Sequence, residues 1–581
     1  MSRLYIKYQK RFNIFKNITL FITGCVLINF FSIQIIKSNS YKKEINKKIK
    51  SYKNNIGQRG NIYDRNNNLL AYSIEKFLIW IDASKMSIND KNNLIDLLSN
   101  ALLSPKSKYN SIMKETSKYL VIEKDLIFND YKDLVKKINS IDNVRIDKYN
   151  HRLYPYNELA AQLIGFTDYD NQGKYGVEGY FNSLLTGKRS KVEYNKTASG
   201  KTILDQNTSP LPGNGSNIVL TIDIKIQEIL QNQLKNALAF NKAKSANGII
   251  VNPNNGEILA MASIPDFNLN EYKNLPKDSS SIYYVNRPVT SAYEPGSTFK
   301  IICFTEAVEN NLHKDKEKYF CENGFYKGKY INPFKDHDSG YDSLGFDEIF
   351  SNSSNIGTVK VFEKLSISSI YNKMKNFGFG IKSNISLMDE HKGGIKSLQY
   401  YKRNIRDLAS ASIGQSILVT NLQMAFAYSS IANGGFMLKP QIVKEVVHEN
   451  FSESTYDPII LYKNMSENTS KIMLKLLQKT VEDGTAKKAY LEKFNSGGKT
   501  GTAEIWDLEN REYSKNEFIS SFASVFPIEN PKYVMIISIE APEYNKRWGG
   551  ESAVPSAKSI IENIIFYDNE LINKNSVNAK A

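Results

Sequence analysis

Apolar positions along the chain fall into a few distinct patterns, and the first is an unbroken run near the N-terminus. Residues Ile18 to Ile36 (ITLFITGCVLINFFSIQII) carry no charge over 19 positions. As a helix this run reaches roughly 28 Å, close to the thickness of the hydrocarbon core of a bilayer. A cleaved signal peptide would have a shorter run followed by a small-residue cleavage site, which this sequence lacks. The pattern predicts an uncleaved single-pass membrane anchor at 18–36, preceded by a tail at 1–17 that is assigned to the cytoplasm.

The middle of the chain changes pattern twice. Residues 37–55 are polar and rich in lysine, which predicts a stalk. From 56 to 212, brief apolar runs alternate with helical stretches and polar turns, as is typical of a mixed α/β domain. A Pro-Gly linker, an apolar strand and an amphipathic helix then follow in the stretch PGNGSNIVLTIDIKIQEILQNQLKNAL. This change predicts a domain boundary near residue 213.

The pattern from 213 to 566 predicts an antiparallel sheet covered by helices. The stretch NGIIVNPNNGEILAMAS has two apolar runs around a turn sequence, which indicates a hairpin. Near the end, GGKTGTAEIW, FISSFASVFP and YVMIISIEAP predict three successive strands, and SAVPSAKSIIENIIF predicts a closing helix. Strands at both ends of a region with helices between them are typical of an α+β domain. Residues 567–581 are assigned to a C-terminal tail.

Composition excludes several classes of function. The net charge is +16, but lysines are spread through every region without a basic block, so no nucleic-acid partner is expected. Three cysteines are too few for a disulfide framework, although the sequence leaves open whether Cys303 and Cys321 pair. The chain has no C-x-x-C, and its five histidines show no ligand spacing. No metal and no cofactor are expected.

Charge does not orient the anchor. Five basic residues precede the apolar run and seven follow it by Lys53, so the positive-inside rule does not favour a cytoplasmic N-terminus. Long domains that follow a span translocate largely regardless of flanking charge. The side of the membrane has to be inferred from the chemistry of the chain.

A candidate nucleophile lies in the stretch YEPGSTFKII. The run after Pro-Gly has helical spacing, which places Ser297 near a helix N-terminus with Lys300 on the same face. Free N–H groups and the helix dipole at that end favour a developing oxyanion. A partly desolvated lysine can be neutral enough to take the proton of a serine. The Ser-x-x-Lys pattern alone is not specific, because Ser40, Ser73 and Ser111 also precede a lysine at this spacing.

Two further motifs make the assignment specific. SNSSNIG places Ser353 and Asn355 in a Ser-x-Asn pattern, and SGGKTGTAE carries the one Lys-Thr-Gly of the chain, beginning at Lys499. Ser-x-x-Lys, Ser-x-Asn and Lys-Thr-Gly in this order, at whole-domain spacing, are the signature of serine acyl-transferases that react with penicillin. The sequence has no G-x-S-x-G elbow and no histidine placed for a Ser-His-Asp triad. The order of motifs predicts Ser297 as nucleophile and Lys300 as its base.

With these motifs, the whole chain resembles a class B penicillin-binding protein, which is a membrane-anchored peptidoglycan D,D-transpeptidase. RGNIYDRNNNLLAYS, RLYPYNELAAQLIGF and YGVEGYFNSLLTGK resemble motifs of the family's N-terminal pedestal domain. SIGQSILVTNLQMAFAYSSIANGG resembles the segment between the second and third catalytic motifs, although SIGQS lacks its usual second glycine. The resemblance runs from about Gly57 to Phe566 and includes the anchor.

The resemblance implies roles for individual residues. Ser297 would be acylated by the penultimate D-Ala of a stem peptide, and the amine of a neighbouring stem peptide would resolve the acyl-enzyme. The residues implied for catalysis are Ser297, Lys300, Ser353 and Asn355, and those implied for binding the donor's carboxylate are Lys499, Thr500, Gly501 and Thr502. The backbone N–H groups of Ser297 and Thr502 would form the oxyanion hole.

The resemblance also implies partners and a location. The ligands would be D-Ala-D-Ala stem peptides, with β-lactams as inhibitors, and the catalytic domain would lie on the periplasmic side of the inner membrane. YEPGSTFK and SSNIGTVKV favour the septal, FtsI-type branch, whose members work with an FtsW-like glycan polymerase and other divisome membrane proteins. Gln415 favours the elongation-specific branch instead, so that alternative stays open.

Three other classes share part of this pattern. A β-lactamase would carry the same serine and lysines, but the sequence has no E-x-x-L-N segment of the class A kind. A penicillin-sensing receptor would need several spans and a cytoplasmic effector, and only 17 residues precede Ile18. A scaffold with an inactive site would not need the complete set of catalytic residues. The persistence of a penicillin label discriminates the transferase from the hydrolase.

Overall fold

The computed structural model describes residues 2–196, 202–204, 213–276, 280–328, 330, 334–337, 340–450, 452–507 and 509–578. The chain divides into two compact units, one of Met1–Gln58 with Gly187–Gly215 and one of Arg59–Thr186 with Ser216–Ala581. The predicted domain end at residue 212 and the last three residues of the predicted tail lie outside the described residues.

The described helices and strands are numbered along the chain. The α-helices are α1 (Ser2–Phe31), α2 (Ser38–Ile49), α3 (Ile88–Leu102), α4 (Lys106–Ile112), α5 (Lys132–Ile138), α6 (Ala161–Ile164), α7 (Gly176–Tyr180), α8 (Asn182–Leu185), α9 (Ile224–Asn241), α10 (Ser280–Tyr284), α11 (Arg287–Thr290), α12 (Ile301–Glu309), α13 (Phe346–Ser351), α14 (Asn355–Phe362), α15 (Ile367–Asn376), α16 (Leu398–Arg403), α17 (Ile405–Ser412), α18 (Asn421–Ala432), α19 (Glu467–Glu482) and α20 (Ala553–Asn578). The strands are β1 (Lys50–Ile56), β2 (Ile62–Tyr63), β3 (Leu69–Ile81), β4 (Leu120–Ile127), β5 (Val144–Leu153), β6 (Arg189–Lys196), β7 (Thr202–Leu204), β8 (Asn217–Leu220), β9 (Ser245–Val251), β10 (Ile258–Ile264), β11 (Lys318–Phe320), β12 (Ser343–Gly345), β13 (Phe436–Leu438), β14 (Val443–Val447), β15 (Glu453–Thr455), β16 (Ile460–Lys463), β17 (Gly497–Asp507), β18 (Glu512–Phe526) and β19 (Tyr533–Glu540).

The first unit contains the apolar helix. Helix α1 continues through a π-helical turn at Ser32–Ile36, and the stretch Tyr5–Ile36 is long and apolar enough to cross a membrane. The helix begins at Ser2, so most of the predicted tail at 1–17 is helical. The segment predicted as a stalk, 37–55, forms helix α2 and strand β1, which pairs antiparallel with β6. Its polar sequence gave no apolar stripe to indicate a strand, because the strand depends on backbone pairing with a distant segment.

The second unit contains a five-stranded antiparallel sheet in the order β10-β9-β19-β18-β17. The predicted hairpin is β9–β10, and the three predicted C-terminal strands are β17, β18 and β19. Both faces are covered, because α9 and α20 pack on one side and α18 contacts the other. This two-sided burial explains the nearly continuous apolar runs of the central strands. Helix α20 continues to Asn578, so the predicted tail at 567–581 is mostly helical.

A second sheet in this unit has the order β15-β14-β8-β2-β3-β4, and β5 also pairs with β3, along Tyr72–Ile81. Strands β2 and β8 run parallel, with Ile62 opposite Ile218, whereas the other pairs are antiparallel. Strands from the segment predicted as the pedestal and strands from beyond residue 213 therefore belong to one sheet. Ile62 and Ile218 are fully buried in the core that this sheet shares with helices α12 and α14.

The three pedestal motifs meet at one buried ion cluster. The carboxylate of Glu178 accepts hydrogen bonds from Arg59 Nε at 2.7 Å and Arg152 Nε at 2.7 Å. Arg59 also donates to Asn171 O and Asn182 Oδ1. All three charged side chains are almost completely removed from solvent. Buried charges are tolerated when they are paired and hydrogen-bonded, as they are here. Removal of one partner would leave an uncompensated charge in the interior.

Candidate active site

The candidate nucleophile lies where an irregular segment turns into a buried helix. Gly296–Lys300 forms a 3₁₀ turn that continues as α12, which confirms the prediction of a helix start at this point. Helix α12 is apolar and buried, so it fixes the turn in the core. Ser297 is half-buried, and no group in the described part of the chain hydrogen-bonds its hydroxyl. The hydroxyl is therefore available to a ligand.

The candidate base is fully buried beside the second motif. Lys300 Nζ donates to Ser353 O at 2.5 Å, to Ser353 Oγ at 3.1 Å and to Asn355 Oδ1 at 2.8 Å. Burial lowers the pKa of Lys300 to about 7, and the negative charge of Asp336 opposes this shift. An amine with a pKa near 7 exchanges protons readily at neutral pH, as a general base must. The structure thus brings the first two predicted motifs together.

The second motif has an unusual backbone. Ser353 has φ +60°, in the left-handed region that side chains rarely adopt, and it lies between α13 and α14. The following residue, Ser354, is the N-cap of α14. Asp336 accepts hydrogen bonds from the Asn355 N–H at 2.5 Å, the Ile356 N–H at 3.0 Å and the Ser354 hydroxyl at 2.8 Å. Asp336 was not predicted from the sequence, where KDHD resembles many other acidic stretches.

The third motif lies on β17, the edge strand of the five-stranded sheet. Lys499 is fully buried, with its ammonium 5.9 Å from the centre of the Phe350 ring. Burial holds the pKa of Lys499 well below its usual value, and the positive charge of Lys300 lowers it further. This electrostatic coupling places two buried amines in one site. An anionic group that entered the site would relieve both effects.

The hydroxyls of this strand have separate partners. Thr500 Oγ1 lies 2.7 Å from Thr485 Oγ1, and Thr502 Oγ1 accepts the backbone N–H of Gly549 at 3.0 Å. Thr500 is buried, whereas Thr502 is partly exposed. The strand therefore carries one buried hydroxyl that Thr485 holds and one hydroxyl that is partly exposed.

Glycines let the nucleophile turn and β17 approach each other backbone to backbone. Gly296 has φ +54°, and a Cβ there would lie 2.5 Å from Thr502 O. A Cβ on Gly501 would lie 2.7 Å from Pro295 O. The SIGQS segment contributes as well, because Gly414 O accepts the N–H of Gly296 at 3.0 Å. These contacts explain why the residues before the serine and within Lys-Thr-Gly carry no side chain.

A cavity of about 780 Å³ continues along β17 beyond the third motif. Its lining includes Glu294, Ser416, Glu504, Trp506 and Tyr513. Its volume falls in the range of sites that bind peptides or drug-sized ligands. The site therefore has a free serine hydroxyl, a candidate base with a pKa near 7 and a buried amine, and the cavity lies beside these groups. Such groups are suited to acyl transfer.

The two cysteines near the site do not pair. Cys303 and Cys321 are both buried free thiols. The thiol of Cys303 faces Thr358 O at 3.9 Å, and the hydroxyl of Ser354 points to Cys321 Sγ at 3.7 Å. Burial raises the pKa of both thiols. They act as packing groups beneath the site, and the question left open by the sequence is answered.

Comparison with known proteins identifies the family. Residues 248–562 match the penicillin binding protein transpeptidase domain, and residues 54–220 match the penicillin-binding protein dimerisation domain. The first match alone covers more than half of the chain. The chain belongs to the class B penicillin-binding proteins and is a penicillin-binding transpeptidase, which confirms the resemblance seen in the sequence.

Individual relatives cover most of the chain. The stage V sporulation protein D of Bacillus subtilis (strain 168) is 30% identical over 512 residues, which are 87% of this chain and 77% of that protein. The peptidoglycan D,D-transpeptidase FtsI of Escherichia coli (strain K12) is 27% identical over 558 residues, 93% of this chain and 90% of that protein. The crystal structure of penicillin binding protein 2X from Streptococcus thermophilus superposes with a TM-score of 0.76 at 25% identity, covering 89% of this chain and 80% of that chain.

Proposed function

We propose that this transpeptidase cross-links peptidoglycan stem peptides through an acyl-enzyme on Ser297. The hydroxyl attacks the carbonyl of the penultimate D-Ala, and the terminal D-Ala leaves with a proton. The amine of a neighbouring stem peptide then attacks the ester and releases the serine. One observation carries the proposal. Lys300, three positions after Ser297 with its free hydroxyl, has a buried amine that donates hydrogen bonds to Ser353 and Asn355.

Each motif has a distinct task in this proposal. Lys300 takes the proton of the nucleophile, for which its lowered pKa is suited. Ser353 Oγ, 3.1 Å from Lys300 Nζ, relays the proton to the leaving amine, and Asn355 holds Lys300 in place. The backbone N–H groups of Ser297 and Thr502 stabilise the oxyanion, which the close approach of Gly296 to Thr502 supports.

Lys499, Thr500 and Thr502 bind the carboxylate of the donor peptide. A carboxylate bound beside the buried amine of Lys499 would favour the charged form of that amine, and the attraction between the two charges is strong away from solvent. The same arrangement fits β-lactams, which carry a carboxylate next to an acylating carbonyl. Gly501 keeps the strand close to the nucleophile turn, so that the bound carboxylate and Ser297 lie in one site.

Covalent labelling with a fluorescent penicillin tests the nucleophile. Ser297→Ala should abolish labelling while the protein still unfolds at its usual temperature, because a half-buried hydroxyl contributes little to the core. Ser111→Ala is the matched control, since Ser111 also precedes a lysine at the same spacing but lies exposed on α4. Undiminished labelling of the Ser297 variant would overturn the proposal.

We further propose a septal role at the inner membrane. Support comes from relatives named FtsI and from the apolar helix at Tyr5–Ile36. Residues 18–36 form the anchor, 56–212 the pedestal and 213–566 the transpeptidase domain. The region after the anchor lies on the periplasmic side, where peptidoglycan is made. An FtsW-like glycan polymerase and other divisome membrane proteins are the proposed partners.

A further inference from the structure

Asp336 is a carboxylate outside the three motifs that contacts the second motif directly. It lies in a segment between strands β11 and β12, nineteen positions before Asn355. Its Oδ1 accepts the N–H groups of Asn355 and Ile356, at 2.5 Å and 3.0 Å, and its Oδ2 accepts the Ser354 hydroxyl at 2.8 Å. The adjacent carbonyl, Lys335 O, accepts Asn355 Nδ2 at 3.0 Å. Four hydrogen bonds thus join this segment to the start of α14.

These contacts occupy the N–H groups that a helix leaves free at its N-terminus, where negative charge is favoured. The local N-cap, Ser354, accepts the Gly357 N–H at 2.9 Å and donates to Asp336 at the same time. Its hydroxyl is therefore held from both sides. Ser353 has the strained left-handed backbone that turns its carbonyl and hydroxyl toward Lys300. A strained residue keeps its conformation only when its neighbours are fixed.

Asp336 also acts on the charge of the base. The charged or titratable groups that face Lys300 are Asp336, the Cys303 thiol and, across the site, Lys499. Asp336 is the one carboxylate among these groups. When Lys300 takes the proton of the nucleophile it becomes a buried ammonium, and the carboxylate offsets part of that charge.

We propose that Asp336 is a positioning residue for acyl transfer, which holds Ser353 and Asn355 against Lys300 and balances the positive charge that Lys300 gains during the reaction. This inference rests on the proposed function of Ser297 and Lys300. It adds a residue that none of the three motifs contains, and it assigns a task to the middle residue of Ser-x-Asn. Ser354 transmits the position of Asp336 to its neighbours.

The test measures the rate of acylation of the full-length protein by a fluorescent penicillin across the pH range. Asp336→Asn retains an oxygen that can accept the two backbone N–H groups but removes the charge. In the profile of acylation rate against pH, we expect the midpoint of the rise on the acid side to move to lower pH in this variant. Loss of a nearby negative charge lowers the pKa of Lys300 further. Asp336→Ala should also lower the plateau by roughly 10²-fold, as expected when a reacting group is misplaced.

Two controls separate charge from geometry. Ser354→Ala keeps the charge but removes one link, so the plateau should fall while the midpoint stays. Asp342→Asn removes an exposed carboxylate in the same segment and should change neither quantity. An unchanged midpoint in Asp336→Asn together with a wild-type plateau would overturn the inference, and so would a loss of thermal stability with an unchanged pH profile.

The same experiment distinguishes this inference from the proposed function. If the Ser297→Ala variant is still labelled by penicillin, Ser297 is not the nucleophile. The proposed function and the positioning role of Asp336 then both fail. If Ser297→Ala abolishes labelling while both Asp336 variants react like the wild type, the function stands and only the positioning role fails. Should Asp336→Ala fail to fold, the conservative Asp336→Asn variant still decides the outcome.

Discussion

Lys300 Nζ lies 2.8 Å from Asn355 Oδ1, although 55 positions separate the two residues in the chain. The contact links the end of the nucleophile turn to the start of α14. Acceptors around an amine favour its charged form, yet burial outweighs them, and the pKa of Lys300 falls to about 7. The site thus keeps an amine that is partly neutral at physiological pH, as the proposed base must be.

The first prediction concerns pH. A protonated Lys300 cannot accept the serine proton, so the rate of penicillin acylation should rise as pH increases through about 7 and level off above it. Stopped-flow or gel-based labelling across pH measures this limb. The Lys300→Arg variant should lose most of the acylation rate and should show no rise in rate near pH 7, because a guanidinium stays charged. A rate that does not change between acidic and alkaline pH would contradict the role of Lys300.

The second prediction concerns turnover and separates transferase from hydrolase. A β-lactamase must activate water in its acyl-enzyme, and the motifs of this site supply no additional base for that step. After excess penicillin is removed, the label on Ser297 should persist for many minutes, as followed by gel fluorescence or intact mass. A purified class A β-lactamase provides the comparison. Rapid loss of the label with recovery of free enzyme would favour the hydrolase alternative.

The third prediction concerns the backbone contact behind the nucleophile. Gly296→Ala places a Cβ at φ +54° and 2.5 Å from Thr502 O, so either the turn or β17 must shift. We expect acylation to slow by roughly 10²-fold. Gly394→Ala is the control, because its nearest neighbour atom would lie at an ordinary 3.5 Å and its φ is not positive. Equal rates for the two variants would show that the turn tolerates a side chain.

Part of this site could be predicted from the sequence, and the rest could not. Ser297, Ser353 and Lys499 belong to recognisable motifs, and β17, the strand that holds Lys499, was predicted from its sequence pattern. Asp336 has no such pattern, because its role comes from a fold that brings a short polar loop to the end of α14. The left-handed backbone of Ser353 could not be predicted from the sequence either, because neighbouring residues in the folded structure hold it in that conformation.

The same distinction applies to the rest of the fold. Strands β9, β10, β18 and β19 were predicted because both faces of the sheet are buried and demand apolar residues. Strand β1 was missed because its polar sequence has no apolar alternation, and its partner strand β6 is distant in the chain. The sheet that joins β2 to β8 was likewise not visible, since parallel pairing between distant segments leaves no local signal.

The fourth prediction concerns the buried ion cluster. Glu178→Gln leaves Arg59 and Arg152 buried without a countercharge, and breaking such a cluster destabilises a protein by about 3–5 kcal/mol. The thermal unfolding midpoint of this large unit should fall by roughly 3–5 °C. Asp133→Asn serves as control, because its pair with Lys136 is exposed and should not affect the midpoint. A midpoint for Glu178→Gln that matches the control would show that the cluster does not stabilise the fold.

The fifth prediction concerns the proposed partner helix. Polar groups in an apolar span tend to face another helix. Thr23 Oγ1 donates to Thr19 O within its own helix, which leaves the exposed amide of Asn29 as the stronger candidate for a partner contact. Asn29→Leu should therefore weaken recruitment to the division site, as measured by a fluorescent fusion, while Thr23→Val should not.

Replacement of 18–36 by an unrelated leucine-rich span extends this prediction to the whole anchor. We expect penicillin acylation to remain intact, because the catalytic residues all lie beyond residue 290, while septal recruitment is impaired. Protease added to intact spheroplasts should digest the region after Lys37 in both proteins, since peptidoglycan lies outside the cytoplasmic membrane. If that region stayed protected, the orientation would be inverted and the enzyme would have no access to its substrate. If the replaced span supported normal recruitment, the anchor would be a tether alone.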